Sequence, residues 1–256
     1  MHNARIMPSL LMKRGALVKT VAFKSEIYVG DPVNAVRIFN QKEVDELVLL
    51  DIGATAEGYD IDFETLEKVV GECFMPICYG GGVKSIADMR RLFSLGIEKV
   101  ALSAAALADP ELVRRASAEF GSQAIVVALD VKKGLLGGYS VMTHRGKRDT
   151  RQKPVEAARA QAAAGAGEIL LYSIDRDGKW TGFDLKLVAS VAHAVDVPVI
   201  ACGGAGSLQD VGLAVREGGA SAVAIGSMAV FQAEGLGVLI KFPTRAEQDA
   251  LFPQDR

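Results

Sequence analysis

One short stretch of this sequence occurs twice: MPICYGGG at residues 75–82 returns as VPVIACGGAG at residues 197–206. A second pair follows at nearly the same spacing, with KVALSAA at residues 99–105 and AVAIGSM at residues 222–228. Each copy is a short apolar run that ends in small residues, a pattern typical of a buried strand followed by a tight turn. The repetition indicates a chain built from two equivalent halves.

The repeat extends to the start of each half. DELVLLDI at residues 45–52 corresponds to GEILLYSI at residues 167–174, and SLLMKRG at residues 9–15 corresponds to ALDVKKG at residues 128–134. Stretches between the apolar runs, such as residues 86–95, carry apolar side chains at i, i+3 and i+4 and are predicted to be helices. Each half therefore contains four strand–helix units.

We predict eight strands in two sets of four. They are Arg5–Met12, Glu46–Asp51, Pro76–Tyr79, Lys99–Leu102, Ala124–Asp130, Glu168–Ser173, Pro198–Ala201 and Ala222–Ile225. This alternation favours a parallel α/β fold, a single (β/α)₈ TIM barrel made of two repeated half-barrels. A doubly wound open sheet of six strands is the alternative. We assign residues 1–256 to one domain whose C-terminal tail covers about residues 243–256.

The composition excludes several classes of protein. The 29 basic and 31 acidic residues give a net charge of −2, without the basic surface expected of a nucleic-acid-binding protein. No run reaches the roughly 18 apolar residues of a membrane span. The three cysteines, Cys73, Cys78 and Cys202, favour neither a zinc site nor a disulfide framework. We expect a cytoplasmic protein with no metal ion, no cofactor, no nucleic-acid partner and no membrane partner.

Glycine-rich stretches follow two of the predicted strands. Gly80–Gly82 follows the third and Gly203–Gly206 the seventh, and the next strand of each half ends in small residues, Ser103–Ala104 or Gly226–Ser227. Glycine lets backbone N–H groups approach an anion closely, and phosphate commonly binds at this rim of such barrels. We predict two phosphate sites across one rim, suited to a ligand with a phosphate at each end. The alternative is that the glycines only form tight turns.

Carboxylates at strand ends are the candidates for acid–base catalysis. They are Asp51, Asp130, Asp175 and Asp177. Asp130 is the principal candidate because it ends an apolar strand aimed at the rim, whereas a rim aspartate such as Asp175 often only anchors a loop. In the first half, the repeat places Leu11 at the position of Asp130, so a hydrocarbon replaces one acid of a pair. His144 lies in a predicted hairpin, GYSVMTHRGKRDT, where we expect a solvated turn residue.

Charged residues stand at the starts of four predicted strands: Arg5, Glu46, Lys99 and Glu168. Strand starts converge around the barrel axis at the N-terminal face, so two positive and two negative side chains are expected to meet there. We predict a ring of alternating charge that closes the bottom of the barrel through ion pairs. The alternative is four solvated strand-start residues.

The whole chain resembles the cyclase (synthase) subunit of imidazole glycerol phosphate synthase, the HisF family. The most specific stretches are GDPVNAVRIFNQKEVDELVLLDI at residues 30–52, GEILLYSIDRDGKWTGFD at residues 167–184 and PVIACGGAGS at residues 198–207. The resemblance implies a (β/α)₈ barrel of two half-barrels. It also implies a separate, HisH-like glutaminase at the N-terminal barrel face, whose ammonia passes through the barrel to the rim.

The resemblance also implies roles for particular residues. The family's ammonia gate matches Arg5, Glu46, Lys99 and Glu168. Its phosphate-binding positions match Gly82, Asp177, Gly178, Gly204, Gly226 and Ser227, to which we add Gly81, Ser103 and Ala104 from the glycine pattern. Lys19, Asp51 and Ser173 match further positions around the family's active site.

Two departures from the family argue against ordinary histidine biosynthesis. The family uses two aspartates as general acid and base; Asp130 matches one, but Leu11 stands in place of the other. Losing one proton-transfer group reduces a rate by about 10²–10⁴-fold. An Asn-Thr pair that binds one phosphate in the family is represented by Ser103–Ala104. The C-terminus from residue 238 also differs from the family's usual final helix.

A paralogous branch of the family, associated with surface-polysaccharide gene clusters, is similar in RIMPSLL, KEVDELVLLDI and ECFMPICYGGG. That branch implies a glutaminase and an ATP-dependent sugar amidotransferase that converts an N-acetyl sugar into its acetamidino form. Three hypotheses follow. The first is an ammonia-conducting subunit for amidination of a surface sugar. The second is a cyclase (a lyase) of histidine biosynthesis that tolerates Leu11, and the third is a non-enzymatic phosphosugar-binding scaffold.

Overall fold

The computed structural model describes residues 4–134 and 137–252 of the chain. Within these residues the chain forms twelve strands and ten α-helices. The strands are β1 (Arg5–Lys13), β2 (Ala16–Val21), β3 (Lys24–Gly30), β4 (Leu47–Asp51), β5 (Ile77–Gly80), β6 (Lys99–Leu102), β7 (Ile125–Lys133), β8 (Tyr139–Thr143), β9 (Arg148–Asp149), β10 (Glu168–Ser173), β11 (Val199–Cys202) and β12 (Ala222–Ile225).

The helices cover the outside of the strands. They are α1 (Pro32–Asn40), α2 (Phe63–Glu72), α3 (Ile86–Leu95), α4 (Ala104–Ala108), α5 (Pro110–Phe120), α6 (Pro154–Ala163), α7 (Leu185–Ala192), α8 (Leu208–Arg216), α9 (Ser227–Val230) and α10 (Arg245–Leu251). The sequence repeat is also visible in the residues that cap two of these helices. Ser85 caps α3 and Ser207 caps α8, and each accepts from the backbone N–H of an aspartate three residues on. These bonds satisfy donors that a helix start leaves free.

Eight of the strands close into a parallel barrel. The order around it is β1, β4, β5, β6, β7, β10, β11 and β12, and β12 pairs back with β1 through Arg5↔Ala222 to Pro8↔Ile225. The predicted (β/α)₈ barrel is therefore confirmed, and the open doubly wound sheet is excluded. Each predicted barrel strand begins within one residue of the observed one.

Each half of the barrel inserts a hairpin after its first strand. β1 continues into β2–β3, with Leu11 opposite Val18, and β7 continues into β8–β9, with Asp130 opposite Met142. The second hairpin was predicted from the sequence, but the first was not. The strand β3 is largely exposed and its sequence, KSEIYVG, lacks the apolar run that marks a buried strand.

The strands are buried on both faces. Ile6, Leu10 and Met12 of β1 pack outward against the helices, whereas Met7 belongs to the inner cluster that fills the barrel. Because neither face meets water, barrel strands read as continuous apolar runs instead of alternating ones. This explains why their positions could be predicted closely.

The C-terminal tail forms the short helix α10, capped by Thr244, which lies against α8. The tail predicted for about residues 243–256 includes residues 253–256, which lie outside the described residues. Over the described ranges, no helix combines the length and apolar character needed to span a bilayer. In the same ranges, no cluster of three or more His, Cys, Asp or Glu side chains is arranged to hold a metal ion.

Candidate functional site

A cavity of about 420 Å³ opens at the carboxyl-terminal rim of the barrel. Seven residues singled out from the sequence line it: Leu11, Asp51, Gly81, Gly82, Ser103, Ala104 and Asp130. They come from β1, β4, the loop after β5, the end of β6, and β7. Barrel enzymes hold their ligands at this rim because loops from several strand ends converge there. The cavity is therefore the main candidate for ligand binding.

Asp130 lies at this cavity with an unusual ionisation. It sits on β7, opposite Tyr172 of β10 and Met142 of β8. Enclosure in the barrel mouth raises the pKa of the Asp130 carboxyl to about 7, and the negative charge of Asp177 acts in the same direction. A carboxyl group that titrates near neutral pH can both donate and accept a proton.

Leu11 faces the same cavity from β1 and is only 2% exposed. It lies opposite Leu50 of β4 and Val18 of β2. Its surroundings are apolar, and its side chain has no group that can transfer a proton. The strand position equivalent to Asp130 therefore contributes packing and no acid–base chemistry.

Asp51 ends β4 and is buried beside the cavity. Its Oδ1 accepts hydrogen bonds from the N–H groups of Gly53 (2.9 Å) and Ala54 (3.0 Å) and from Tyr59 Oη (2.8 Å). Its Oδ2 has no hydrogen-bond partner among the described residues. Burial raises the pKa of the Asp51 carboxyl, although the three hydrogen bonds oppose the shift. The Oδ2 atom is almost fully shielded from solvent and is therefore a buried acceptor without a partner among the described residues.

The first glycine loop, Gly80–Gly82, forms one wall of the cavity. Gly81 and Gly82 have φ values of 112° and 73°. A Cβ atom on Gly81 would collide with the carbonyl group of Asp51, so this position requires glycine for space as well as for conformation. The Gly82 N–H donates to Thr55 Oγ1 at 3.2 Å. Ser103 and Ala104, at the start of α4, complete the predicted phosphate site.

The second glycine loop, Gly203–Gly206, has the same backbone and far less space. Gly203 and Gly204 have φ values of 92° and 109°. The adjoining cavity is only about 10 Å³, about the volume that one water molecule needs. The predicted phosphate-binding residues around it are Asp177, Gly178, Gly204, Gly226 and Ser227. The structure thus brings this second set together as predicted, around a much smaller space.

Both oxygens of the Asp177 carboxylate accept hydrogen bonds from other protein groups. Its Oδ2 accepts from Thr20 Oγ1 (2.6 Å) and Phe23 N (3.2 Å), and its Oδ1 accepts from Tyr172 Oη (2.9 Å). Its backbone N–H donates to the carbonyl of Ser173, a buried residue. Asp177 and Ser173 therefore hold the loop after β10 against the β2–β3 hairpin.

Lys19 places a buried amine beside the second glycine loop. The residue is 1% exposed, and its Nζ donates to the carbonyl of Ser9 at 2.5 Å. A Cβ atom on Gly226 would lie 2.7 Å from Nζ. Burial lowers the pKa of Lys19 to about 8, and the charge of Asp177 partly opposes the shift. The amine still carries a proton at neutral pH and favours an anion here.

Several cavity residues were not predicted from the sequence. Tyr59, Tyr172, Arg145 and His144 all line the large cavity. His144, expected to be a solvated turn residue, is partly buried in the cavity wall because β8 folds back over the barrel mouth. Register and turn geometry decide these placements, and no local pattern marks them. Asp175 accepts from Lys133 N at 2.6 Å and so anchors a loop.

Four ion pairs link the charged residues at the opposite end of the barrel. Arg5 contacts Glu46 at 2.5 Å and Glu168 at 2.7 Å, and Lys99 contacts the same two carboxylates at 2.8 and 3.2 Å. Glu46 and Glu168 are 5% and 8% exposed, so they are not solvated strand-start residues. We call these four residues the charge ring.

An apolar interior lies between the charge ring and the rim. The inner cluster includes Met7, Val48, Cys78, Ala101, Val126, Ala128, Leu170, Ile200, Cys202, Ala222 and Ala224. Most of these side chains are small or medium in size. Burial raises the pKa of Cys202 to about 12, and that of Cys78 further still, so both thiols stay uncharged.

The model of the histidine biosynthesis protein family matches residues 5–234. The chain belongs to this family. A Pseudomonas aeruginosa protein with the provisional name imidazole glycerol phosphate synthase subunit hisF2 is 52% identical over 95% of this chain and 97% of its own length. These matches make the chain a HisF-family member.

Two further relatives have the same kind of provisional name. A HisF subunit from Leptospira interrogans is 43% identical over 98% of this chain and all of its own length. A subunit hisF3 from Vibrio vulnificus is 42% identical over 97% of this chain and 96% of its own length. The likeness covers both half-barrels, and with them the rim and the charge ring.

Proposed function

We propose that this chain is the synthase-type subunit of a glutamine amidotransferase system. In this proposal a HisH-like glutaminase docks at the N-terminal face and releases ammonia into the barrel. The ammonia travels to a phosphorylated ligand held at the rim beside Asp130. The nitrogen then serves amidination of a surface-polysaccharide sugar, together with an ATP-dependent sugar amidotransferase.

The observation that carries this proposal is the charge ring. Exposed ion pairs contribute only about 0–1 kcal/mol each to stability, and burying charged groups is costly. Placing Arg5, Glu46, Lys99 and Glu168 around the barrel axis therefore has little value for folding. A ring of ion pairs is suited instead to a polar gate, because rearranging its partners opens and closes a path along the axis.

The interior above the ring supports the same conduit. Neutral ammonia can enter an apolar space, whereas ammonium must lose its hydration shell at a large free-energy cost. Small side chains such as Ala101, Ala222 and Ala224 lie in this interior. A passage of this kind would deliver ammonia in its reactive form to the cavity that Asp130 lines.

Leu11 favours the surface-sugar branch over histidine biosynthesis. A cyclase with one of its two acid–base groups replaced should be slower by about 10²–10⁴-fold. The numbered provisional names of two relatives, hisF2 and hisF3, are consistent with a paralogue beside an ordinary cyclase. The pKa of Asp130 near 7 favours the second candidate, a slow histidine-pathway cyclase, since one competent acid–base group remains.

The conduit is tested by replacing Lys99 with alanine. In the complex with the glutaminase that co-purifies with this chain, Lys99→Ala should reduce glutamine-driven amidation at least tenfold and leave ammonia-driven amidation within about twofold. Lys68→Ala, which removes an exposed ion pair with Glu64 on α2, is the matched control and should change neither rate. Equal loss in both assays, or wild-type transfer from glutamine, would refute the conduit. So would failure to recover any glutaminase.

Complementation separates the two candidate pathways. The gene should not restore growth without histidine to a strain that lacks its cyclase subunit. Deleting it in its own host should remove amidination of the surface polysaccharide and leave histidine synthesis intact. Full complementation would favour the histidine cyclase. Phosphosugar binding without either activity would favour the scaffold.

A further inference from the structure

The strand registers on β7 place the turn after β8 near the end of β6. Both strands pair with the same edge of β7: Leu102 of β6 lies opposite Val127, and Met142 of β8 lies opposite Asp130. Continuing each register brings Ser103 and His144 together at the level of Ala128. All three residues line the 420 Å³ cavity.

The other half of the barrel has equivalent strand registers. Ile225 of β12 lies opposite Pro8, and Val18 of β2 lies opposite Leu11 on the same edge of β1. That register brings the Lys19–Thr20 segment to Gly226, and Lys19 Nζ lies 2.7 Å from a Cβ built on Gly226. The registers therefore place each half's hairpin beside the strand end, Ser103 or Gly226, that adjoins the glycine loop of the other half.

The His144 turn has an uncommon backbone that long-range contacts hold in place. His144 and Arg145 have φ values of 52° and 59°, a left-handed conformation that non-glycine residues rarely adopt. Ala22 and Phe23, in the turn between β2 and β3, have nearly the same φ values of 50° and 61°, so both hairpin turns share this conformation. In the His144 turn Arg145 provides the support, with its guanidinium 2.6 Å from Glu26 Oε1 and 3.3 Å from the carbonyl of Phe23.

One nitrogen of the His144 ring is free for a ligand. Nδ1 lies 3.0 Å from Thr143 Oγ1. Across residues 4–134 and 137–252, Nε2 has no hydrogen-bonding partner. An imidazole whose Nδ1 is the acceptor carries its proton on Nε2, and a protonated ring donates from both nitrogens. Nε2 is the donor in the Nε2–H tautomer and in the imidazolium, whereas it is an acceptor in the Nδ1–H tautomer.

The first glycine loop offers few free hydrogen-bond donors to a bound anion. Its Gly82 N–H already donates to Thr55, and Ala104 has no hydroxyl where the second loop has Ser227. The second loop has the Lys19 amine nearby, although that amine already donates to the carbonyl of Ser9. An anion at the first loop therefore depends on the Ser103 hydroxyl and on other side chains of the cavity wall.

We propose that His144 is a ligand-binding residue whose Nε2–H donates to a phosphate group held by Gly81, Gly82, Ser103 and Ala104. The proposal rests on the proposed phosphate binding at the first loop and adds the residue that completes it. The phosphoryl dianion is the chemical class recognised, because protonated His144 adds a charged donor to the cavity that the glycine backbone of the first loop lines.

The charges around the ring set the pH dependence. Burial lowers the pKa of His144, and Arg148 acts in the same direction. The ionisable groups that line the same cavity are Asp51, Tyr59, Lys84, Asp130, Arg145 and Tyr172. A bound dianion beside the ring stabilises the imidazolium and must raise the pKa of His144. Anion binding should consequently strengthen as the pH falls through that pKa.

Sulfate is the probe, because it remains a dianion across the pH range used and does not itself titrate there. The chain has three histidines, so carbon-13 labelling of histidine gives a simple NMR spectrum, in which His144→Gln identifies the resonance of interest. The titration runs from about pH 5 to pH 8 with sulfate, and again with sodium chloride at equal ionic strength. Exposed His193, at the end of α7, serves as the internal control.

We expect sulfate to raise the pKa of His144 by about one unit and to leave His193 unchanged. A rise of one unit corresponds to about tenfold tighter sulfate binding to the protonated protein. His144→Ala should weaken binding about tenfold at pH 5 and have a smaller effect at pH 8. His144→Gln should recover part of the affinity, because its amide is a donor, but without the pH dependence.

Backbone amide chemical shifts distinguish phosphate binding at the first loop from the role of His144 in it. If sulfate shifts the Gly82 and Ser103 amides but leaves the pKa of His144 unchanged, the role of His144 is overturned and phosphate binding at the first loop stands. If those amides and His144 are all unaffected while Ser227 responds, both ideas fail at the first loop.

Discussion

The two glycine loops share a backbone and differ in what surrounds it. Gly81 and Gly203 have φ values of 112° and 92°, and each stands where a Cβ would meet the backbone of the preceding strand end. The residues that end the next strands also agree: Ser103 has φ −125° and ψ −90°, and Gly226 has φ −97° and ψ −92°. Yet the first loop opens on a cavity of about 420 Å³ and the second on one of about 10 Å³.

The difference comes from the hairpins. The β2–β3 hairpin covers the second loop, where Thr20 and Phe23 hold Asp177 and Lys19 fills the space next to Gly226. The β8–β9 hairpin lies beside the first loop without filling the space next to it, and it contributes His144 to the cavity wall. The turn glycines and the strand closure are common to both halves, whereas the inserted hairpins determine how much space lies next to each glycine loop.

The largest effect is expected from replacing Leu11 of β1 with aspartate, the residue that occupies the equivalent position of β7. Leu11→Asp should increase ammonia-dependent turnover of the histidine-pathway bisphosphate substrate by about 10²–10⁴-fold, because it restores a second proton-transfer group opposite Asp130. Leu11→Asn is the matched control, with similar size and no acid–base function, and should remain at the wild-type rate. The measurement is steady-state turnover with ammonium salts and no glutaminase.

Wild-type turnover within tenfold of an ordinary histidine-pathway subunit would contradict this prediction. It would mean that the cavity has another proton-transfer group, and Leu11 would no longer distinguish the two halves.

The groups beside the two loops should give opposite dependences of stability on pH. Asp130, with a pKa raised from 3.8 to about 7, binds its proton more tightly in the folded chain than in the unfolded one. Its contribution is greatest below pH 4 and is lost as the pH rises to about 7, by up to about 4 kcal/mol. Lys19, lowered from 10.5 to about 8, binds its proton less tightly when folded. Its contribution is lost as the pH falls from about 10.5 to 8, by about 3 kcal/mol.

Urea denaturation at several pH values measures these two slopes. Asp130→Asn should flatten the free energy of unfolding between pH 4 and 7, and Lys19→Met should flatten it between pH 8 and 10.5. Variant and wild-type curves that run parallel in those windows would show that neither pKa is shifted as described.

The smallest effect concerns the hydroxyl that Ser227 has and Ala104 lacks. Ala104→Ser should tighten sulfate binding at the first loop by about two- to tenfold, as expected for one hydrogen bond of about 0.5–1.5 kcal/mol. Ser227→Ala should weaken binding at the second loop by a similar factor. Amide shifts at Gly82 and Gly204 report the two affinities separately. If both variants strengthened sulfate binding, or both weakened it, the two loops would not be equivalent binding sites.

The fold could be predicted closely because its signals are local and repeated. Apolar runs buried on both faces, such as β4 and β10, and the two glycine loops stand out in the sequence. The charge ring was predictable too, since Arg5, Lys99 and Glu168 each begin a strand and Glu46 immediately precedes one. In these places the position in the strand already determines the position in the barrel.

The cavity wall could be predicted only in part. Tyr59 reaches Asp51 from a loop eight residues further on, and Arg145 reaches Glu26 across 119 residues. The β2–β3 hairpin has an exposed strand and therefore lacks an apolar signal. These contacts depend on turn geometry and on the packing of the two hairpins, which no short stretch of sequence specifies.

The pairing of β1 with β12 has a consequence for how the chain is made. The edge of β1 finds its partner only when residues 222–225 have left the ribosome. At about 5–20 residues per second, that takes roughly 10–40 s after β1 itself emerges. Until then β1 is an apolar strand with an unpaired edge, the kind of surface that pairs with other chains. Rapid production of this protein should therefore depend on chaperones that shield nascent chains, more than production of a domain whose first strand pairs early.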